Sequence, residues 1–164
     1  MVTEQIEARG IEDPLVLDAM GAVPRHRFVS DDWQDYAYRD HPLPIGYGQT
    51  ISQPYIVALM TELAGVTDTS RVLEVGTGSG YQAAVLNELT PHVHTMEIIA
   101  PLAEEVDRRF RDLGYDAIAR REGDGYYGWP EAAPFDAIVV TAAADHIPPP
   151  LVEQLAPGGR MVIP

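Results

Sequence analysis

The chain has 164 residues, enough for one domain with one sizeable core. It contains no Cys, which excludes a disulfide framework, a thiolate metal site and a Cys nucleophile. Its 25 acidic residues against 11 Lys and Arg give a net charge of -14, which argues against nucleic acid or another phosphate-rich partner and suits a solvated acidic surface.

The start, Met1 to Glu7, is acidic and lacks the apolar stretch of a signal peptide, and no later apolar run is long enough to span a bilayer. The expectation is a cytoplasmic protein with no membrane partner. Residues 1–65 read as an N-terminal helical and loop segment, and residues 66–164 as an α/β core. Ile6, Ile11, Leu15, Val16, Leu17 and Met20 give two short helical patterns. Gly10 stops the first, and Asp13-Pro14 starts the second with a cap and a first-turn proline. Val23-Pro24-Arg25 and Phe28-Val29 follow, then the aromatic cluster Trp33, Tyr36 and Tyr38. His41 to Thr50 is punctuated by Pro and Gly and reads as a loop or irregular strand. Ser52-Gln53-Pro54 opens a helix to about Ala64, with Ile56, Leu59, Met60 and Leu63 on its apolar face.

The core begins with the apolar run Arg71 to Val75, a buried strand, which leads into Gly76-Thr77-Gly78-Ser79-Gly80 and a helix from Tyr81. Strand, glycine turn and helix open a nucleotide-binding α/β unit. The third glycine comes one residue earlier than a dinucleotide site needs, and Glu74 precedes the first. A carboxylate there repels a pyrophosphate and suits a cation such as the sulfonium and amino group of S-adenosylmethionine. This stretch resembles motif I of the class I methyltransferases.

His92 to Ile98 is the second core strand. It ends in Glu97, placed where an acid takes ribose hydroxyls. Pro101 to Leu113 is a helix that Gly114 ends, and Tyr115 to Glu122 a weaker strand. Gly123-Asp124-Gly125 alone reads as a turn. Phe135 to Val140 is the central strand, and Thr141-Ala142-Ala143-Ala144 lies at its carboxyl end as a low floor across which a peptide could lie, with His146 just past it. Pro148 to Leu155 is a short helix, Pro157 to Arg160 a turn, and Met161 to Ile163 the last strand. The five histidines have no spacing that makes a zinc site, so no metal is expected, although His92 and His94 share a strand face.

Gly48-Gln49-Thr50-Ile51-Ser52-Gln53-Pro54-Tyr55, with the Val-Pro-Arg and Phe-Val stretches before it, is similar to the signature of the protein-L-isoaspartate O-methyltransferase family, and the resemblance runs from about Ile11 to Pro164. It implies a single Rossmann-like methyltransferase domain over residues 1–164, a mostly parallel sheet with helices on both faces after an N-terminal helical extension. It also implies that the family pattern continues past Pro164 with an antiparallel pair at the sheet edge. Without that pair the fifth core strand is an exposed edge.

The cofactor implied is S-adenosyl-L-methionine, held by Thr50, Ile51, Ser52, Glu74, Val75, Gly76, Thr77, Gly78, Gly80, Glu97, Ile98, Asp124 and Gly125. Asp124 would take the adenine amino group. Ala142, Ala143, Ala144 and His146 would line the substrate side, and Ser52 would be catalytic. Ser52 also suits an N-cap to the helix at Gln53-Pro54, and both readings stand. The activity implied is methylation of the α-carboxylate of L-isoaspartyl residues in damaged proteins, starting repair through a succinimide. A related carboxyl methyltransferase acting on an aspartate of a specific peptide, and a cofactor-binding protein without turnover, are the alternatives. A monomer is expected, with dimerisation through the sheet edge as the other possibility.

Overall fold

In a computed structural model, the structure describes residues 1–142 and 146–164. A five-stranded sheet organises it. In chain order β1 (Leu43–Gly46) and β2 (Gln49–Ile51) form a separate hairpin, and the sheet follows as β3 (Val72–Val75), β4 (Val93–Glu97), β5 (Ala119–Glu122), β6 (Phe135–Val140) and β7 (Leu155–Val162). The helices are α1 (Pro14–Ala22), α2 (Pro54–Ala64), α3 (Tyr81–Leu89), α4 (Ala100–Leu113) and α5 (Pro149–Glu153). The sheet order is β5-β4-β3-β6-β7, and every pairing in it is parallel.

That order follows from right-handed crossovers. β3–α3–β4–α4–β5 advances in one direction, with both helices on one face. The chain then returns past β3 to β6 and continues to β7, so its later connections cover the opposite face. The side chains alternate accordingly. Val72, Val93, Ala137 and Val139 join the core with α1 to α4, while Leu73, Val75, Met96, Ile138 and Val140 pack with Leu151 of α5 and Trp129. Helices thus lie on both faces, but unevenly: among the described residues the second carries α5 and the 3-10 turns at Gly125–Tyr127 and Pro130–Ala132.

Helix ends follow the local chemistry. The Asp13 side chain accepts from the Leu15 N–H ahead of a first-turn proline. Gly65 and Gly114 close α2 and α4 in the left-handed conformation. The N-terminal segment before Gly10 is a turn of π-helix running into a 3-10 turn.

Several local expectations change. The centre of the sheet is β3, and the Phe135–Val140 strand lies beside it. α2 buries Pro54, Val57, Ala58, Met60, Thr61 and Ala64, while Leu63 is exposed. The stretch around Tyr47 is a true hairpin, closed by Gly46, Tyr47 and Gly48 at positive φ of 91°, 53° and 72°. The last strand begins at Leu155 rather than after Arg160, and the expected turn is an excursion inside it. Phe135 pairs with Leu155 but Ala137 with Arg160, so the chain bulges between them. Ser52 does not cap α2: the cap position falls on Gln53, without a side-chain bond.

Candidate functional site

The strand order reverses between β3 and β6, which makes a crevice at their carboxyl ends. A cavity of about 740 Å³ lies there, within the size of a small-molecule site. The glycine loop, the Thr50–Ser52 segment, the end of β4, Asp124–Tyr126 and the end of β6 all contribute to its lining.

The three glycines of the loop do three different jobs. A Cβ on Gly76 would stand 2.8 Å from the Thr141 hydroxyl, which donates back to the Gly76 and Val75 carbonyls. A Cβ on Gly80 would stand 2.7 Å from the Phe110 ring of α4, so that glycine exists for packing. A Cβ on Gly78 would meet nothing nearer than Ile45 at 3.4 Å. Only Gly78 leaves space next to the cavity that a ligand can use. All three have positive φ, which glycine adopts without a steric penalty. Gly125 is a fourth case: a Cβ there would lie 2.3 Å from Val75 Cγ1.

The two acids of β3 and β4 are in unlike states. Glu97 accepts from the Gly78 N–H at 2.8 Å and from the Ile99 N–H at 2.9 Å. It clamps the glycine loop, and each oxygen keeps a lone pair for a ligand hydroxyl. Glu74 is completely buried. The Thr77 hydroxyl lies 2.6 Å from that of Thr95, which donates to Glu74 Oε2 at 2.5 Å. Glu74 Oε1 has no partner. Burial pushes its pKa up to about 8, against the Thr95 bond, so at neutral pH it is largely protonated. The charged carboxylate expected beside the loop is thus mostly neutral, because the β3 position that carries it faces the interior. The case against a pyrophosphate survives on other grounds: the lining includes Glu97 and Asp124 and, among the described residues, no Lys or Arg.

The remaining expected residues distribute as follows. Thr50, Ile51, Ser52, Val75, Thr77 and Ile98 line the cavity. Gly80 sits behind the loop against α4. Asp124 accepts from the Tyr126 N–H at 2.9 Å, so one of its oxygens shapes the turn. Ala142 and His146 line the cavity, the latter 5.8 Å from the Tyr126 ring centre. Ala143 and Ala144 lie outside the described residues.

Gln82 lines the cavity too, although its sequence context gave no reason to single it out. Its amide orientation is forced. Thr61 donates its hydroxyl to the Val57 carbonyl, so its oxygen must accept from Gln82 Nε2 at 2.8 Å. That leaves Gln82 Oε1 buried without a partner. With Glu74, whose protonated Oε1 can donate as well as accept, it gives the cavity two buried oxygens without partners, which a polar ligand would satisfy.

Comparison with known proteins agrees with this geometry. The family model for protein-L-isoaspartate(D-aspartate) O-methyltransferase matches residues 1–164. The chain is 62% identical to protein-L-isoaspartate O-methyltransferase 1 of Nitrosospira multiformis, covering all of this chain and 70% of that protein. Among solved structures, a protein-L-isoaspartate O-methyltransferase superposes with a TM-score of 0.89 at 32% identity; all of this chain matches 55% of that one. The Plasmodium falciparum protein, solved in complex with S-adenosyl-L-homocysteine, gives 0.85 at 28% identity, over 99% of this chain and 82% of that one. The chain belongs to the protein-L-isoaspartate O-methyltransferase family.

Proposed function

We propose that this chain carries the methyl-transfer site of a protein-L-isoaspartate O-methyltransferase, using S-adenosyl-L-methionine to esterify the α-carboxylate of L-isoaspartyl residues in damaged proteins. The observation that carries this reading is the switch-point cavity, with its open Gly78, its acidic lining free of Lys and Arg among the described residues, and two orphaned buried oxygens.

These residues fit the cofactor. Gly76 to Gly78 and Glu74 would hold its methionine end, Glu97 its ribose hydroxyls, Ile98 and Asp124 with Gly125 its adenine. When bound, it supplies an electrophilic methyl group on a sulfonium. The substrate carboxylate, with an ordinary pKa of about 3.3–4, is ionised at neutral pH and needs no general base. The chain's task is therefore proximity and orientation. Ser52, on the segment between β2 and α2, orients the incoming carboxylate, and Ala142 and His146 line its approach. The ester then closes to a succinimide without further help, which starts repair. The setting is cytoplasmic, with a monomer acting on aged proteins.

The test is methyl transfer from labelled S-adenosylmethionine to an isoaspartyl peptide and its aspartyl twin. Transfer to the isoaspartyl peptide alone is expected. Transfer to the aspartyl twin would replace the repair reading with that of another carboxyl methyltransferase. Cofactor binding without transfer to either would leave a binding protein.

A further inference from the structure

Arg25 has no exposed surface, and among the described residues no carboxylate lies within ion-pair distance of it. The acid whose charge reaches it, Asp40, is engaged elsewhere, by Arg9, by Gln53 Nε2 and by the Tyr55 N–H. Arg25 instead gives Nε to the Ala37 carbonyl at 2.7 Å and Nη2 to the Ser52 carbonyl at 2.8 Å. Its guanidinium lies 4.8 Å from the centre of the Tyr81 ring. Nη1 is buried without a hydrogen-bond partner. Burial lowers its pKa, the direction desolvation gives a cation.

A buried ion held by two carbonyls and by Tyr81, with no paired carboxylate, is a poor stabilising device, and apolar side chains of similar volume often do as well or better. What distinguishes these contacts is where they act. Ser52 and Tyr81 both line the cavity. The planar fork of the guanidinium reaches two carbonyls at once, which a lysine ammonium does not reproduce. Ser52 lies outside the hydrogen-bonded part of the hairpin and ahead of the first turn of α2. The guanidinium is a fixed anchor for its backbone from the protein interior.

We propose that Arg25 is a positioning residue: by holding the Ser52 carbonyl, with Ala37 as its second anchor, it sets where Ser52 stands over the cavity. This rests on the reading of the site as a methyl-transfer site in which orientation is the chain's main contribution.

The experiment compares wild type with Arg25→Lys and Arg25→Met. It measures S-adenosylhomocysteine affinity by calorimetry, kcat and KM on an isoaspartyl peptide, and hydrogen exchange at the amides of Ile51 to Gln53 against those of Leu73 to Val75. The expected result is affinity within about threefold of wild type and kcat lower by about tenfold to a hundredfold, the range that small misplacement produces. KM should change little. Exchange should rise at Ile51 to Gln53 while Leu73 to Val75 stays protected. Folded variants with wild-type kcat and unchanged exchange at Ser52 would overturn the proposal. So would affinity falling in step with kcat, because that is general loosening of the site. Arg25→Met keeps the volume and removes the charge, so it tests the idea if the lysine variant folds poorly. A wild type inactive on the isoaspartyl peptide would defeat the functional reading alone, and the exchange comparison would still decide on Arg25.

Discussion

The glycine loop and the Thr50–Ser52 segment line the same cavity but are held in opposite ways. The loop is a backbone object. Its path is set by three positive φ values, by the Glu97 clamp on the Gly78 N–H, and by the end of β6 pressed against Gly76. The segment is held from a distance, by an arginine 27 residues earlier and by Asp40 on Gln53 and Tyr55. The first kind of wall is recognisable from one local run of glycines, although Glu97 and Thr141 brace it from elsewhere in the chain, and the second has no such local signature.

The widest break between the two should come from Gly80→Ala. Its Cβ would enter the Phe110 ring at positive φ, and we expect a loss of about 3 kcal/mol or more in urea unfolding from overpacking and backbone strain together. Gly78→Ala has open space instead. It should lose about tenfold to a hundredfold in S-adenosylhomocysteine affinity, with stability lower by only about 1–2 kcal/mol, the price of a left-handed alanine. Equal stability losses at both positions would mean the three glycines do not divide their work.

Glu74→Gln sharpens the comparison through pH. The folded protein holds a proton on Glu74 up to about pH 8, while the unfolded chain releases it near 4.5. Between those values the native state binds more protons, so this group's contribution to stability is full below about 4.5 and fades as pH rises toward 8. The variant should lose less stability than wild type between pH 5 and pH 8, by on the order of 3 kcal/mol. Parallel curves would show that the proton is not held there.

On the other wall, Ser52→Ala should leave the melting temperature and cofactor affinity nearly unchanged, because Ser52 is not the cap of α2. It should lower kcat by about tenfold, as expected of an orienting group. Unchanged turnover would remove Ser52 from the site. The smallest effect belongs to Tyr47, exposed at the hairpin tip with φ of 53°. Tyr47→Asn should raise stability by up to about 1 kcal/mol in urea unfolding, since asparagine accepts that conformation more readily.

The sequence was legible where the signal was local. The strand-glycine-helix unit, the capped starts of α1 and α4's apolar stripe, and the acid at the end of β4 follow from a few adjacent residues each. It was silent where the cause lay far along the chain. Arginine is normally a surface residue, and the partners that explain why Arg25 is inside, the carbonyls of Ala37 and Ser52 and the Tyr81 ring, all lie far along the chain. Glu74 looked like a charged rim residue because its spacing from the glycines says nothing about depth. Ser52 looked like a cap because Ser-x-Pro often is one. The last strand looked short because Pro157-Gly158-Gly159 is turn chemistry, here spent on a bulge within a pairing that spans it.

The strand order also bears on how the chain is made. β3, at the centre of the sheet, meets β4 after one short helix, but its other neighbour, β6, begins only at Phe135. On the ribosome, β3 to β5 can form a half-sheet while the other edge of β3 is still bare. Arg160, which reaches the Leu63 carbonyl at 3.4 Å and lies over Gly65, arrives later still. A nascent chain that folded in this order would present the future cavity as a one-sided groove with a bare strand beside it. That is the stage of synthesis at which a chaperone would find the most to hold.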